Sequence, residues 1–266
     1  MKKVFFLLTL AVLCLASCGK DEETDNLAKQ MLGKWMTSDF NGSPLATNNK
    51  VVYTIVSTTE GFISASRIDY NSEHEMWTNH SPSSVELEDG KITLYGNINK
   101  TTTFVAILDV KSIDDSKMVT EATNMLYRNG SLVSKTSGTV TWTKVTEDYT
   151  EAILGTWEGQ ATGEEGSVFD DGQPHRWEYH ADGTYIYYSL DADSVWQPQE
   201  SEFEEYFVDG VLLCTRWKNI GEGEVECREW WEIASIDNDV MNWTALRQRE
   251  DGSTYNATFR MTKVNP

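Results

Sequence analysis

Leu154-Gly155-Thr156-Trp157 repeats the earlier stretch Leu32-Gly33-Lys34-Trp35. The copies lie 122 residues apart, and the same offset pairs Thr24, Leu27, Met31 and Leu32 with Thr146, Tyr149, Ile153 and Leu154. A second match sets Val110-Lys111-Ser112-Ile113-Asp114 and Met118 against Ile233-Ala234-Ser235-Ile236-Asp237 and Met241. The halves also close alike, on Thr143-Lys144-Val145 and Thr262-Lys263-Val264. Three matched blocks in one order mark a duplicated domain. The expected repeats are residues 27–146 and 147–266.

Within each repeat a short helix is expected first, over Leu27–Leu32 and again over Tyr149–Leu154, with Asp25 and Asp148 as caps. Strand signals dominate after it. In the first repeat they run from Val51–Ser57 to Leu132–Val145, the last interrupted near Ser137-Gly138, and Asn129-Gly130 is a strong hairpin signal. In the second, Arg176–His180 and Thr184–Ser189 flank Asp182-Gly183. A two-residue turn there sets Trp177 opposite Tyr188 and Tyr179 opposite Ile186. Alternation then aims these four inward and leaves Tyr185 and Tyr187 on the outer face. Cys227, Trp231 and Ile233 share the inner face of a later strand, and Met241 and Trp243 follow. About eight strands per repeat without a long helical period predict an all-β chain of two tandem antiparallel barrels, each preceded by a short helix.

The N-terminus sets an address. Lys2 and Lys3 precede an apolar run from Val4 to Leu15. That run is too short for a permanent span, which needs about 20 residues. Leu15-Ala16-Ser17-Cys18 looks like a bacterial lipobox, so residues 1–17 read as a lipoprotein signal peptide and Cys18 as the lipidated residue. Residues 18–26 form an acidic tether. Gly19, rather than Asp, after the cysteine implies outer-membrane sorting. Lys20-Asp21-Glu22-Glu23 resembles an export tag for the cell surface, and equally suits a solvated spacer. The expected membrane contact is the lipid anchor.

The chain carries 22 basic and 42 acidic residues, a formal charge of −20. No basic stripe is present, so nucleic acid is not an expected partner. Cys214 and Cys227 remain after the signal and the anchor. The compartment permits a disulfide between them if their strands align, and two free thiols otherwise. No C-x₂-C, H-E-x-x-H, G-x-S-x-G or P-loop pattern occurs, so neither a metal, a cofactor nor a catalytic residue is expected. Glu202, Glu204, Glu205 and Glu229 could supply a carboxylate pair, but among 42 acidic residues proximity is expected by chance.

A short helix, a G-x-W strand and an aromatic-rich closing strand resemble the lipocalin family, in particular the lipocalin-like domains of bacterial surface lipoproteins. The resemblance covers both repeats. It implies that Gly33 and Trp35, and Gly155 and Trp157, close one end of each barrel. The Thr-Asp-Tyr loop of that family is missing, and Arg260, the candidate for the family's late arginine over the Trp, has no arginine counterpart in the first repeat.

Seven of the 10 tryptophans fall in the second repeat. Small barrels fill their interiors with large side chains, and aromatic faces also suit an apolar ligand or a sugar ring. Trp177, Tyr179, Tyr188, Trp231 and Trp243 are therefore the candidate ligand-binding residues. The expectation is a surface or outer-membrane lipoprotein that binds a small apolar molecule or glycan in its second barrel. The alternative is a non-catalytic structural or interaction subunit with filled barrels. Replacing the anchor residue, Cys18→Ser, should move the protein from the membrane fraction to the soluble one, checked by fractionation and fatty-acid labelling.

Overall fold

The computed structural model describes residues 26–58, 63–71, 76–80, 82, 84–88, 90–163, 172–221 and 223–264. The expected signal peptide, Cys18 and nearly all of the tether lie outside the described residues. The chain divides into two compact units. One joins the chain up to Ser43 with Tyr53–Lys144, and the other joins Pro44–Val52 with Val145–Pro266.

Strands of the first half are β1 (Gly33–Phe40), β2 (Ser43–Pro44), β3 (Val52–Ser57), β4 (Ile63–Asn71), β5 (Met76–His80), β6 (Ser84–Glu88), β7 (Lys91–Asn99), β8 (Thr102–Ile113), β9 (Lys117–Arg128) and β10 (Ser131–Val145). The second half holds β11 (Gly155–Ala161), β12 (His175–Tyr179), β13 (Tyr185–Leu190), β14 (Trp196–Pro198), β15 (Ser201–Asp209), β16 (Leu212–Asn219), β17 (Cys227–Asp237), β18 (Val240–Gln248) and β19 (Thr254–Lys263). The first sheet runs β5-β4-β3-β1-β10-β9-β8-β7-β6, and the second β14-β13-β12-β11-β19-β18-β17-β16-β15. In both, the G-x-W strand pairs with the closing strand of its own repeat.

The second sheet is nearly closed. A bridge joins Thr184 to Glu205, and the Tyr206 amide donates to the Gly183 carbonyl at 2.8 Å. The first sheet is a half-barrel: among the described residues no ladder joins its edge strands β5 and β6. Two barrels were expected, so the first repeat departs from that expectation. The helices depart too. Residues 26–31 form one α-helix, but its counterpart is a single turn, in which the Ile153 amide reaches the Tyr149 carbonyl at 3.0 Å. The Tyr149 amide is already committed to the Gly210 carbonyl at 3.0 Å, and Asp148 caps Thr150 through both its amide and its hydroxyl. With Gly155 following, no room remains for a second turn.

What the two G-x-W blocks build is the same clamp twice. The Trp35 indole N–H donates to the Met31 carbonyl at 2.8 Å, and that of Trp157 to the Ile153 carbonyl at 2.6 Å. Both rings are fully buried. Lys144 Nζ lies 4.5 Å from the centre of the Trp35 ring, and Lys263 Nζ 5.1 Å from that of Trp157. The cation over each tryptophan is thus the lysine of the closing Thr-Lys-Val block, not Arg260. Lys144 also donates to the Leu32 carbonyl at 2.6 Å. Gly33 and Gly155 have φ of +112° and +107°, and a Cβ on either would meet the lysine Cε at 3.1 Å.

The other repeated block encodes a bulge. The β8–β9 register slips between Val110 and Ser112, and the β17–β18 register slips between Ile233 and Ser235. Lys111 and Ala234 are the extra residues, and each bulge re-aims the strand so that Ile113 pairs Met118 and Ile236 pairs Met241. Both methionines are buried. Asn129-Gly130 forms the expected tight turn, both residues at positive φ, closed by Arg128 opposite Ser131. The expected break near Gly138 is absent: β10 runs on, and the ring of Phe40 lies where a Cβ of Gly138 would be, 2.6 Å away.

Gly155→Ala should destabilise the second unit by about 1–3 kcal/mol, because alanine must adopt a positive φ against Lys263. Urea denaturation followed by Trp fluorescence measures this.

Candidate functional site

The interior of the second unit is layered. One core cluster includes Ile153, Trp157, Val208, Leu213, Ile233, Met241 and Met261, all buried. The same cluster holds an aromatic layer. The Trp177 ring centre lies 5.3 Å from that of Trp243 and 5.2 Å from that of Phe259. Trp231 lies 5.5 Å from Trp243, and Tyr179 4.8 Å from Tyr206. Such edge and tilted contacts each contribute about 0.5–1.5 kcal/mol beyond area burial.

Four of the five candidate ligand residues therefore sit in packed core: Trp177, Tyr179, Trp231 and Trp243 are at most 5% exposed. Of these, Trp177 also lines a cavity. The fifth, Tyr188, faces the other way. The His180 amide bonds the Thr184 carbonyl at 2.9 Å, and Gly183 has φ +84°. The loop is thus three residues long with a left-handed glycine, not two. Trp177 pairs Tyr187 and Tyr179 pairs Tyr185. One residue of slip exchanges faces, so Tyr185 and Tyr187 point in, and Ile186 and Tyr188 point out. The Tyr188 hydroxyl donates to Glu178 at 2.9 Å, on a surface groove shared with Arg176 and Lys263.

The cysteines do not pair. Cys214 lies opposite Trp230 and Cys227 opposite Trp217, and no disulfide joins them. Three residues of register separate them, which rules out disulfide geometry.

Beyond the aromatic layer the interior changes character. A cavity of about 130 Å³ is lined by Trp177, Tyr185, Tyr187, Gln199, Glu204, Thr215, Trp217, Asn219 and Glu229. The first unit offers only about 20 Å³, lined entirely by apolar or aromatic residues such as Met31, Trp35, Leu94 and Trp142. Strand alternation supplies the polar groups. Glu204 pairs Trp217 and shares its face with Tyr206 and Val208, while Glu229 pairs Thr215 and shares its face with Trp231 and Ile233. Both carboxylates thus project inward.

Their surroundings differ. Glu229, its side chain 13% exposed, binds Arg247 Nη2 at 2.7 Å and takes a hydrogen bond from the Trp231 indole. Burial raises its pKa, and Arg247 and Trp231 oppose that rise. Arg247 also lies 4.6 Å above the Trp231 ring. Glu204 accepts the Tyr187 amide at 3.2 Å and the Ser201 hydroxyl at 3.2 Å. Among the described residues no basic side chain pairs with it. Burial pushes its pKa up to about 7, against the pull of those two donors. His175 Nδ1 lies 2.7 Å from the Tyr187 hydroxyl and is buried behind it. Among the described residues no three His, Cys, Asp or Glu side chains gather as they would around a metal.

Sequence reasoning missed Glu204, Glu229, Trp217, Tyr185 and Tyr187 as cavity residues. The signal was present in the parity of each strand with its buried neighbours.

No family model and no curated protein matches this chain. Among solved structures, it is similar to a candidate outer membrane protein of Bacteroides fragilis, at 11% identity and TM-score 0.24, covering 90% of this chain and 99% of that one. A double mutant of the vaccine antigen transferrin-binding protein B from Haemophilus parasuis aligns at 12% identity and TM-score 0.25, over 81% of this chain and 51% of that one. A protein of unknown function from Nostoc punctiforme aligns at 11% identity and TM-score 0.22, over 91% of this chain and 99% of that one.

With Trp231 in the packed layer, Trp231→Ala should cost about 3–5 kcal/mol of stability. Equilibrium unfolding of the variant measures it. A much smaller loss would place Trp231 beside open space instead.

Proposed function

We propose that this chain is a lipid-anchored outer-membrane binding protein, related in design to the lipocalin-like lipoproteins, whose second barrel takes a small ligand. The anchor rests on the Leu15-Ala16-Ser17-Cys18 motif. The observation that carries the binding reading is the cavity beyond the aromatic layer, where four aromatic side chains meet Gln199, Glu204, Thr215, Asn219 and Glu229.

The lining decides the ligand class. A fatty acyl chain would meet none of the hydrogen-bonding capacity left on Glu204, Gln199 and Asn219, each unmet polar group costing about 1–3 kcal/mol. A compact molecule with one flat or apolar face and several polar groups would meet both halves of the lining. About 130 Å³ suits a single ring or a short branched skeleton rather than a drug-sized ligand. The proposed role is binding rather than catalysis, since Arg247 and Trp231 already engage Glu229 and leave it no free part in an acid–base pair. The first half-barrel, with its small apolar void, serves as a structural element in this reading.

Titration with monosaccharides, small ring alcohols and amines, and fatty acids tests this through Trp217 fluorescence and thermal unfolding. Compact polar ligands should shift both signals and fatty acids neither. Asn219→Trp, in the cavity lining, should abolish the shifts while leaving unfolding in the absence of ligand intact. If no compact polar probe moves either signal, the barrel is a filled structural element and the binding role is lost.

A further inference from the structure

The charge inside the cavity does not balance. Glu229 is matched by Arg247. Glu204 is half-buried, lies among Tyr185, Tyr187 and Trp217, and is matched by no basic side chain among the described residues. Its two donors, the Tyr187 amide and the Ser201 hydroxyl, are neutral. An ionised carboxylate in such a place needs a positive charge or a proton.

The aromatic rings point the same way. Cations bind over the faces of Trp and Tyr, and several such faces around one carboxylate form the recognition chemistry of an ammonium group. Trp177 and Tyr185 are each 5% exposed, so their rings are fixed by packing before any ligand arrives. The Tyr187 hydroxyl is held by His175 at 2.7 Å, which fixes a third ring. Prepositioned rings lose little entropy on binding.

We infer that the second-barrel cavity binds a small cationic amine, its ammonium group paired with Glu204 and enclosed by Trp177, Tyr185, Tyr187 and Trp217. This rests on the binding role proposed above and names the chemistry of the ligand. Arg247 is no competitor for the anion, because Glu229 holds it on β18. The same pair keeps Glu229 from attracting the ammonium as strongly as Glu204 does.

The pairing makes binding depend on pH. Tyr185 and Tyr187 of β13 line the cavity with Glu204. Glu204, Glu229 and Cys227 all act on the Tyr185 hydroxyl, Arg247 of β18 is held by Glu229, and His175 of β12 bonds the Tyr187 hydroxyl. Burial and the nearby Glu204 raise the Tyr185 pKa, so its hydroxyl stays protonated throughout the working range. Glu204 titrates at about 7 in the empty barrel. Below that pH an ammonium must displace its proton, and affinity should fall about tenfold per unit of pH. Above it, affinity should be level.

The test uses matched probes. Choline is compared with its neutral carbon isostere dimethylbutanol, and cyclohexylamine with cyclohexanol, by calorimetry on the full-length chain. At pH 8 at least one cation should bind about tenfold or more tighter than its neutral partner. The preference should vanish at pH 5.5 and in Glu204→Gln, where charged and neutral probes should bind alike. If Glu204→Gln fails to fold, the pH series on the unaltered chain still decides. Equal affinity of charged and neutral probes overturns the inference and leaves the binding pocket standing. A preference for carboxylate probes overturns it too and makes Arg247 the anchor. No binding by any probe removes the pocket itself.

Discussion

Each unit is built on a tryptophan that is tied at both its polar and its aromatic ends. The indole N–H of Trp35 or Trp157 bonds the carbonyl four residues back, and a lysine from the last strand covers the ring. A buried indole N–H without a partner would cost about 1–3 kcal/mol. The preceding turn must therefore present its carbonyl to the barrel end, and the last strand must arrive in register beside the first. Gly33 and Gly155 permit this by turning the chain at positive φ and leaving space for the lysine stem. One interaction thus fixes the entry of the chain and the arrival of its final strand beside its first.

With the same tryptophan clamp in both units, the difference between them lies in how the rest of each interior is filled. In the first, aliphatic and small residues such as Ile92, Leu94, Ala106 and Leu108 pack into a curved sheet that does not need to close. The second must enclose Trp177, Tyr179, Trp231, Trp243 and Phe259. Rings of that size require partners on all sides, and the Thr184–Glu205 bridge completes the circle. The aromatic layer then acts as the floor of the cavity above it. A segment of the first repeat is also absorbed into the second unit. Thr47 is fully buried there, accepting the Leu246 amide at 2.9 Å, and Lys50 pairs Glu232 at 2.7 Å.

Much of this was legible in the chain. The duplicated blocks turned out to encode physical devices, the clamp and the bulge, whose geometry tolerates little variation, and for that reason they survived as visible matches. Of the tryptophans of the second repeat, Trp157, Trp177, Trp231 and Trp243 are buried. What failed was register. Asp182-Gly183 suits a two-residue turn and a three-residue turn equally, and that one residue sent Tyr188 outward and Tyr187 inward. The half-barrel was also hidden, because closure depends on contacts between edge strands far apart in sequence. Glu204 and Glu229 were hidden by abundance. Among 42 acidic residues neither stands out until its strand neighbours are known to face the core.

Glu204 is where the sequence and the fold disagree most. The unfolded chain would titrate it near its ordinary value of 4.5, and the folded barrel does so at about 7. The folded state therefore holds the extra proton between those values. The stability this lends is fully present below pH 4.5 and is lost as pH rises through 7. A neutral glutamine in the same place would keep the Tyr187 amide satisfied without that loss. Burial also raises the Glu229 pKa, but there Arg247 and Trp231 oppose the rise. A group that weakens its own fold at neutral pH and lines a cavity beside aromatic rings fixed by packing is a local inconsistency in the barrel. Such inconsistencies concentrate at functional sites. Here the imbalance is one negative charge, and a positive ligand is what would remove it.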